Sequence, residues 1–181
     1  MTENDLPLII EALLISAEEP LSIERLMDAF PEDEKPSRQA IQKALVDLGD
    51  AYVLRAFELK ELATGFCLQT KVHYAQWIGR LNQDRPQKYT NAVLETLAVI
   101  TYRQPVTRAE IEEIRGVSIN STIIKTLMER DWIKVAGRRD VPGKPAVLVT
   151  TKTFLDYFNL KSLNELPPVE IFQLENSELI T

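Results

Sequence analysis

TRAEIEEIRGV, residues 107–117, holds a helix start, a short amphipathic stretch and a stop within eleven residues. Thr107 and Glu110 stand at the spacing of a capping box, in which each side chain satisfies the other residue's backbone amide. Gly116 supplies the left-handed position that closes a helix. The segment therefore predicts a sharply bounded helix over 108–115. It reads as the second helix of a helix-turn-helix, with Gly116 letting the chain turn before a third.

The flanks agree. Val93, Leu94, Leu97 and Ile100 fall on one face of a helix predicted over 91–103, which Gln104-Pro105 ends. Downstream, Asn120 or Ser121 caps a third helix with Ile123, Ile124, Leu127 and Met128 as its apolar side. Residues 132–135 then read as a strand, GRRDVPGKP (137–145) as a loop and AVLVTT (146–151) as the β-branched return strand. Phe154, Leu155, Tyr157 and Phe158 close with a short helix, and Pro167-Pro168 ends regular structure. The tail EIFQLENSELIT shows no clear period.

The first 81 residues predict the same order. Leu6, Ile9, Ile10, Leu13, Leu14 and Ala17 share a helical face, and Pro20 cannot continue that helix. Ser22 caps a second helix with Ile23, Leu26 and Met27; Ser37 caps a third with Ile41, Ala44, Leu45 and Leu48 inward. AFELKELATGFCLQTK reads as a hairpin with its turn at Thr64-Gly65. VHYAQWIGRLN follows as a helix with Val72, Trp77, Ile78 and Leu81 available for packing. Three helices and a two-stranded hairpin form the winged-helix arrangement. The expected fold is thus α+β and helix-rich, with two tandem winged-helix domains. The expected boundaries are 1–81, a polar linker over 82–90, a second domain over 91–165 and a tail over 166–181.

Charge divides the chain in the same way. Residues 1–70 carry 6 basic against 14 acidic side chains, a net of −8, whereas residues 71–165 carry 15 against 10, a net of +5. An acidic half joined to a mildly basic half suggests different partners for each. No apolar run approaches the roughly 20 residues needed to span a bilayer. The N-terminus MTENDLPLII has no basic region before its apolar residues, so no secretory leader is expected. The single cysteine, Cys67, excludes an intramolecular disulfide, suits a reducing cytoplasm and reads as a half-buried strand residue.

Little in the residues points to catalysis. His73, the only histidine, has no neighbours at metal-ligand spacing and reads as a surface or capping residue. Glu110, Glu112 and Glu113 spread around a short helix, where acids near the first turn suit its dipole. VPGKP lacks the spacing of a phosphate-binding loop. No enzyme, metal or cofactor is expected. Against DNA, the predicted third helix balances Lys125 and Arg130 with Glu129 and Asp131, whereas a phosphate-seeking surface should be richer in cations. The wing is more basic, with Arg138, Arg139 and Lys144 against Asp140 as possible DNA contacts. For protein partners, Tyr102, Arg103 and Pro105 at a helix end, beside Arg108, are a candidate surface, because Tyr and Arg anchor interfaces. Arg115 reads as a local partner of Glu112. The first helix is apolar over more than one stripe, so Leu6, Ile10 and Leu14 are candidates for a homodimer contact.

LETLAVITYRQPVTRAEIEEIRGV, followed by GRRDVPGKP, TTKTFLDYF and SLNELPP, resembles the segregation and condensation protein B family, the ScpB subunit of the bacterial SMC–kleisin complex. LLISAEEPLSIERL is similar to that family's opening motif. Val149 departs from it, standing where the family usually has glycine. The resemblance implies two winged-helix domains, a homodimer formed mainly through the N-terminal one, and no enzymatic activity. It also implies binding to the middle segment of the kleisin ScpA, with the SMC ATPase reached through the kleisin. Tyr102, Arg103, Pro105 and Arg108 would then belong to the kleisin-binding surface. The expected location is cytoplasmic, at the nucleoid, with DNA contact weak or indirect. The alternative is a DNA-binding winged-helix regulator using the third helix and wing of the second domain.

Overall fold

Capped helices build the first half. Ser22 accepts from the Arg25 amide and Ser37 from the Ala40 amide, each at 3.2 Å. They start α2 (Ile23–Asp28) and α3 (Arg38–Ala51), which pack with α1 (Asp5–Ser16). The computed structural model describes residues 5–81 and 89–168. Leu6, Ile10 and Leu14 of α1 meet Leu26, Ile41 and Leu45 in one buried cluster. Antiparallel β1 (Phe57–Glu61) and β2 (Phe66–Thr70) cover it, with Leu59 opposite Leu68. Leu21 and Phe66 exchange both backbone hydrogen bonds at 2.9 Å, tying the α1–α2 loop to the hairpin. Gly65 makes this approach possible, because a Cβ there would overlap the Leu21 carbonyl. Cys67 is half-buried on β2, and burial, together with the Asp156 carboxylate, pushes its thiol up.

The segment after the hairpin departs from expectation. A 3-10 turn at Val72–Tyr74 leads into α4 (Ala75–Leu81), which buries no side chain. Val72, Trp77 and Leu81 are 83%, 51% and 80% exposed. The hairpin already closes the three-helix core, so among the described residues this short helix stays outside it.

The second half runs α5 (Asn91–Arg103), β3 (Val106–Thr107), α6 (Arg108–Arg115), α7 (Ser121–Glu129), β4 (Ile133–Arg138), β5 (Ala146–Thr150) and α8 (Lys152–Tyr157). Asn120 caps α7 by accepting from the Thr122 amide at 3.0 Å. A second core gathers Leu97, Ile100, Ile111, Leu127, Trp132 and Phe154. β4 runs three residues beyond its predicted end at Val135, through a bulge between Val135 and Gly137. β3 is a two-residue strand that completes an antiparallel sheet of order β3-β5-β4. A pair of residues carries no readable alternation, so its only sign is the burial of both Val106 and Thr107. Val149 lies in regular register opposite Lys134, so the departure from the family pattern leaves the strand intact. The whole is a mixed structure of helices and two small antiparallel sheets.

The two cores touch through polar groups. Thr64 donates its amide and hydroxyl to the Asp156 carboxylate of α8 at 3.2 and 2.5 Å. Lys161 reaches Glu61 of β1 at 2.6 Å.

Candidate protein-binding site

α6 is held at both ends by its own carboxylates. The capping box is complete: Glu110 accepts the Thr107 amide at 2.7 Å, and the Thr107 hydroxyl oxygen accepts the Glu110 amide at 3.4 Å. Arg139 reaches across from the β4–β5 loop to Glu110 at 2.9 Å. The Thr107 amide first, and the Arg139 charge after it, hold the Glu110 carboxyl below the usual range. Gly116 closes the helix at φ 68°. Glu112 then accepts the Ile119 amide at 2.9 Å and pairs with Arg108 at 3.1 Å, while Arg108 also donates to the Ile119 carbonyl. The Ile119 amide is the main cause of a lowered Glu112 carboxyl. Arg108 and Glu112 thus fix the turn into α7.

These ties correct one local expectation. Glu112 does not take Arg115. That arginine turns toward α5, with Glu95 at 2.8 Å and the Thr96 hydroxyl at 3.0 Å, and its side chain is 8% exposed. The pairing followed from burial of α6 against α5, which helical spacing alone does not reveal.

Two apolar grooves open on this half. One, of 320 Å³, lies between α5, α8 and the end of the described chain, among Leu94, Leu97, Tyr102, Phe154, Phe158 and Pro167. Tyr102 donates its hydroxyl to the Pro167 carbonyl at 2.8 Å, which anchors the groove's end. The other, of 480 Å³, lies between α6, α7 and the sheet, with Arg108 and Glu112 at its rim and Ile124, Met128 and Val135 in its walls. The predicted partner surface is therefore divided. Tyr102 lines the first groove and Arg108 the second, while Arg103 is exposed at the end of α5 and Pro105 just beyond it. Sequence reasoning missed Leu94, Phe154 and Phe158 as groove walls. Their helical spacing marked them as apolar but could not show that the face stays open.

The basic loop is largely engaged. Arg138 donates to the Lys144 carbonyl at 3.1 Å, and Arg139 is held by Glu110. Lys144 itself is exposed at the turn. On α7, Lys125 pairs with Glu129 at 3.5 Å, and just beyond it Arg130 stacks over the Tyr89 ring at 4.8 Å. His73 is exposed, near Tyr74 and Trp77.

The expected dimer residues need correction. Leu6, Ile10 and Leu14 are 8%, 0% and 4% exposed and are spent in the chain's own core. The outward stripe of α1 is Leu8, Ala12 and Ile15, also apolar, with Leu8 at 63% and Ile15 at 67% exposed. A helix apolar over more than one stripe has more than one face to cover, but period alone does not say which stripe meets the chain's own core.

Among the described residues no cluster of three or more metal-ligating side chains occurs, and no helix is long and apolar enough to cross a membrane. Small helical cores faced by antiparallel ribbons, with apolar grooves and stripes open among the described residues of both halves, place the chain in the class of mixed helix-and-sheet proteins. The chain belongs to the family of the segregation and condensation complex subunit ScpB, whose model matches residues 8–169. It is 49% identical over 179 residues to a segregation and condensation protein B homolog of Coxiella burnetii, covering 98% of this chain and 86% of that one. It is 41% identical over 174 residues to segregation and condensation protein B of Syntrophotalea carbinolica, covering 95% and 86%. A solved structure, ScpB from Mycobacterium tuberculosis, is 31% identical with a TM-score of 0.41, covering 88% and 98%.

Proposed function

We propose that this protein is a non-catalytic scaffold subunit of the SMC–kleisin complex in chromosome condensation and segregation. It homodimerises through residues 1–81 and binds the middle segment of a ScpA-type kleisin through residues 91–165, with residues 82–90 as linker and 166–181 as tail. Each half is a winged-helix unit, three helices and a ribbon. The SMC ATPase is reached through the kleisin, at the nucleoid.

The observation that carries the kleisin reading is the open apolar groove between α5 and α8. An amphipathic helix lays its apolar face into such a groove. Tyr102 sits at the groove's end and Arg103 is exposed beside it, the residue types that anchor interfaces. The dimer reading rests on the uncovered stripe of α1. The engaged arginines of the β4–β5 loop give less support to a DNA-binding regulator.

Leu94 is 43% exposed, so Leu94→Glu leaves the core in place. Titration calorimetry with the kleisin's middle segment should show binding weakened at least about tenfold, about 1.4 kcal/mol. Arg103→Glu should act in the same direction. Unchanged affinity for Leu94→Glu would remove this groove from the site.

A further inference from the structure

The segment 71–81, KVHYAQWIGRL, is an arm that buries none of its side chains among the described residues. It carries Lys71 and Arg80 and no carboxylate. Lys71 fixes its base by donating to the Tyr52 and Val53 carbonyls at 3.1 and 2.6 Å. Beyond that base, Trp77 and Leu81 are 51% and 80% exposed and α4 buries nothing. Ten turn and helix residues with an uncovered tryptophan are what a partner contact looks like before the partner arrives.

The same half carries a receptor of matching chemistry. A groove of 390 Å³ runs between α1 and the end of α3, with Leu8 on its rim and Leu48 and Tyr52 within it; Glu11 and Asp47 outnumber its one cation, Arg55. The Tyr52 hydroxyl is buried and makes no hydrogen bond among the described residues. Such a group is costly to leave unpaired. Burial first, and the Glu11 carboxylate after it, disfavour ionisation of that hydroxyl and push its pKa up, although Glu11 does not meet hydrogen-bond geometry.

We infer that the arm of one copy docks in the α1–α3 groove of a second copy, reciprocally, Trp77 entering beside Leu8 and Tyr52 with Arg80 on Glu11 and Asp47. Arm base and groove both adjoin Tyr52, so a two-fold axis passing there brings both exchanges into one self-complementary patch. The acidic half supplies the charge that the basic arm needs.

The inference rests on the homodimer reading, and sedimentation equilibrium separates the two. Wild-type chain should be a dimer at micromolar concentration. Trp77→Ser removes only an exposed side chain, so its thermal midpoint should match wild type while dimerisation weakens about 30-fold. Arg80→Glu should weaken it about tenfold, and adding Asp47→Arg in the same chain should restore it. A Trp77→Ser chain that dimerises as tightly as wild type overturns the arm exchange and leaves the dimer standing. A wild-type chain that is monomeric at 100 μM, roughly the upper end of ordinary affinities, overturns both. A Trp77→Ser chain that dimerises normally but loses the kleisin segment assigns the arm to that partner and overturns the exchange.

Discussion

Thr107 shows how much one side chain decides. Its hydroxyl and amide form both bonds of the capping box, and it is 3% exposed. The same residue ends β3, so it joins the sheet to α6. Thr107→Ala should destabilise the second half by about 0.5–2 kcal/mol, read as a lower thermal midpoint. The partner carboxylates give this region a pH dependence of known sign. Glu110 and Glu112 are both held below their ordinary value of 4.5 in the folded chain. Their stabilisation is therefore present above about pH 4.5 and is lost as pH falls through their lower folded values. Glu110→Gln should reduce the slope of stability against pH below about 4.5 and leave the neutral range nearly flat. An unchanged acid slope would show that the carboxylate does not couple to folding.

At the scale of elements, the legible parts are those that local chemistry fixes. Ser22, Ser37, Asn120 and Thr107 each accept from a backbone amide at the start of a helix, and each is recognisable from residue type and position. Thr64-Gly65 marks its turn because Gly65 must approach the Leu21 carbonyl. What escaped are features set by tertiary contact. β3 is too short to have a period. Arg115 chooses Glu95 and Thr96 over Glu112 because α6 packs on α5. Leu6, Ile10 and Leu14 share α1 with Leu8 and Ile15 in a helix apolar over more than one stripe, so pattern alone could not assign the inner and outer ones. The site was legible only in part: Tyr102 lies on a groove, but its companions Phe154 and Phe158 come from a helix some fifty residues on. Arg108, adjacent in sequence, serves the α6–α7 turn instead.

For the whole molecule, the contact between halves is small and polar. Thr64 with Asp156 and Glu61 with Lys161 carry it. Hydrogen bonds of this kind contribute about 0.5–1.5 kcal/mol each and exposed ion pairs about 0–1 kcal/mol. Asp156→Ala with Lys161→Ala should therefore free the halves without unfolding either core. Small-angle scattering should show a larger radius of gyration, while circular dichroism stays unchanged. An identical scattering profile would mean that other contacts set the arrangement. The proposed scaffold would divide its labour. The acidic half with its uncovered α1 stripe would serve self-association, and the mildly basic half with its apolar grooves would serve the kleisin.

That division is tested most directly by light scattering behind a sizing column, on the chain alone and mixed with the kleisin's middle segment. The account predicts a dimer alone and a stable complex whose mass rises by that of the bound segment. A protein whose mass and elution ignore the kleisin segment would contradict the scaffold reading and return attention to the loop cations Arg138, Arg139 and Lys144.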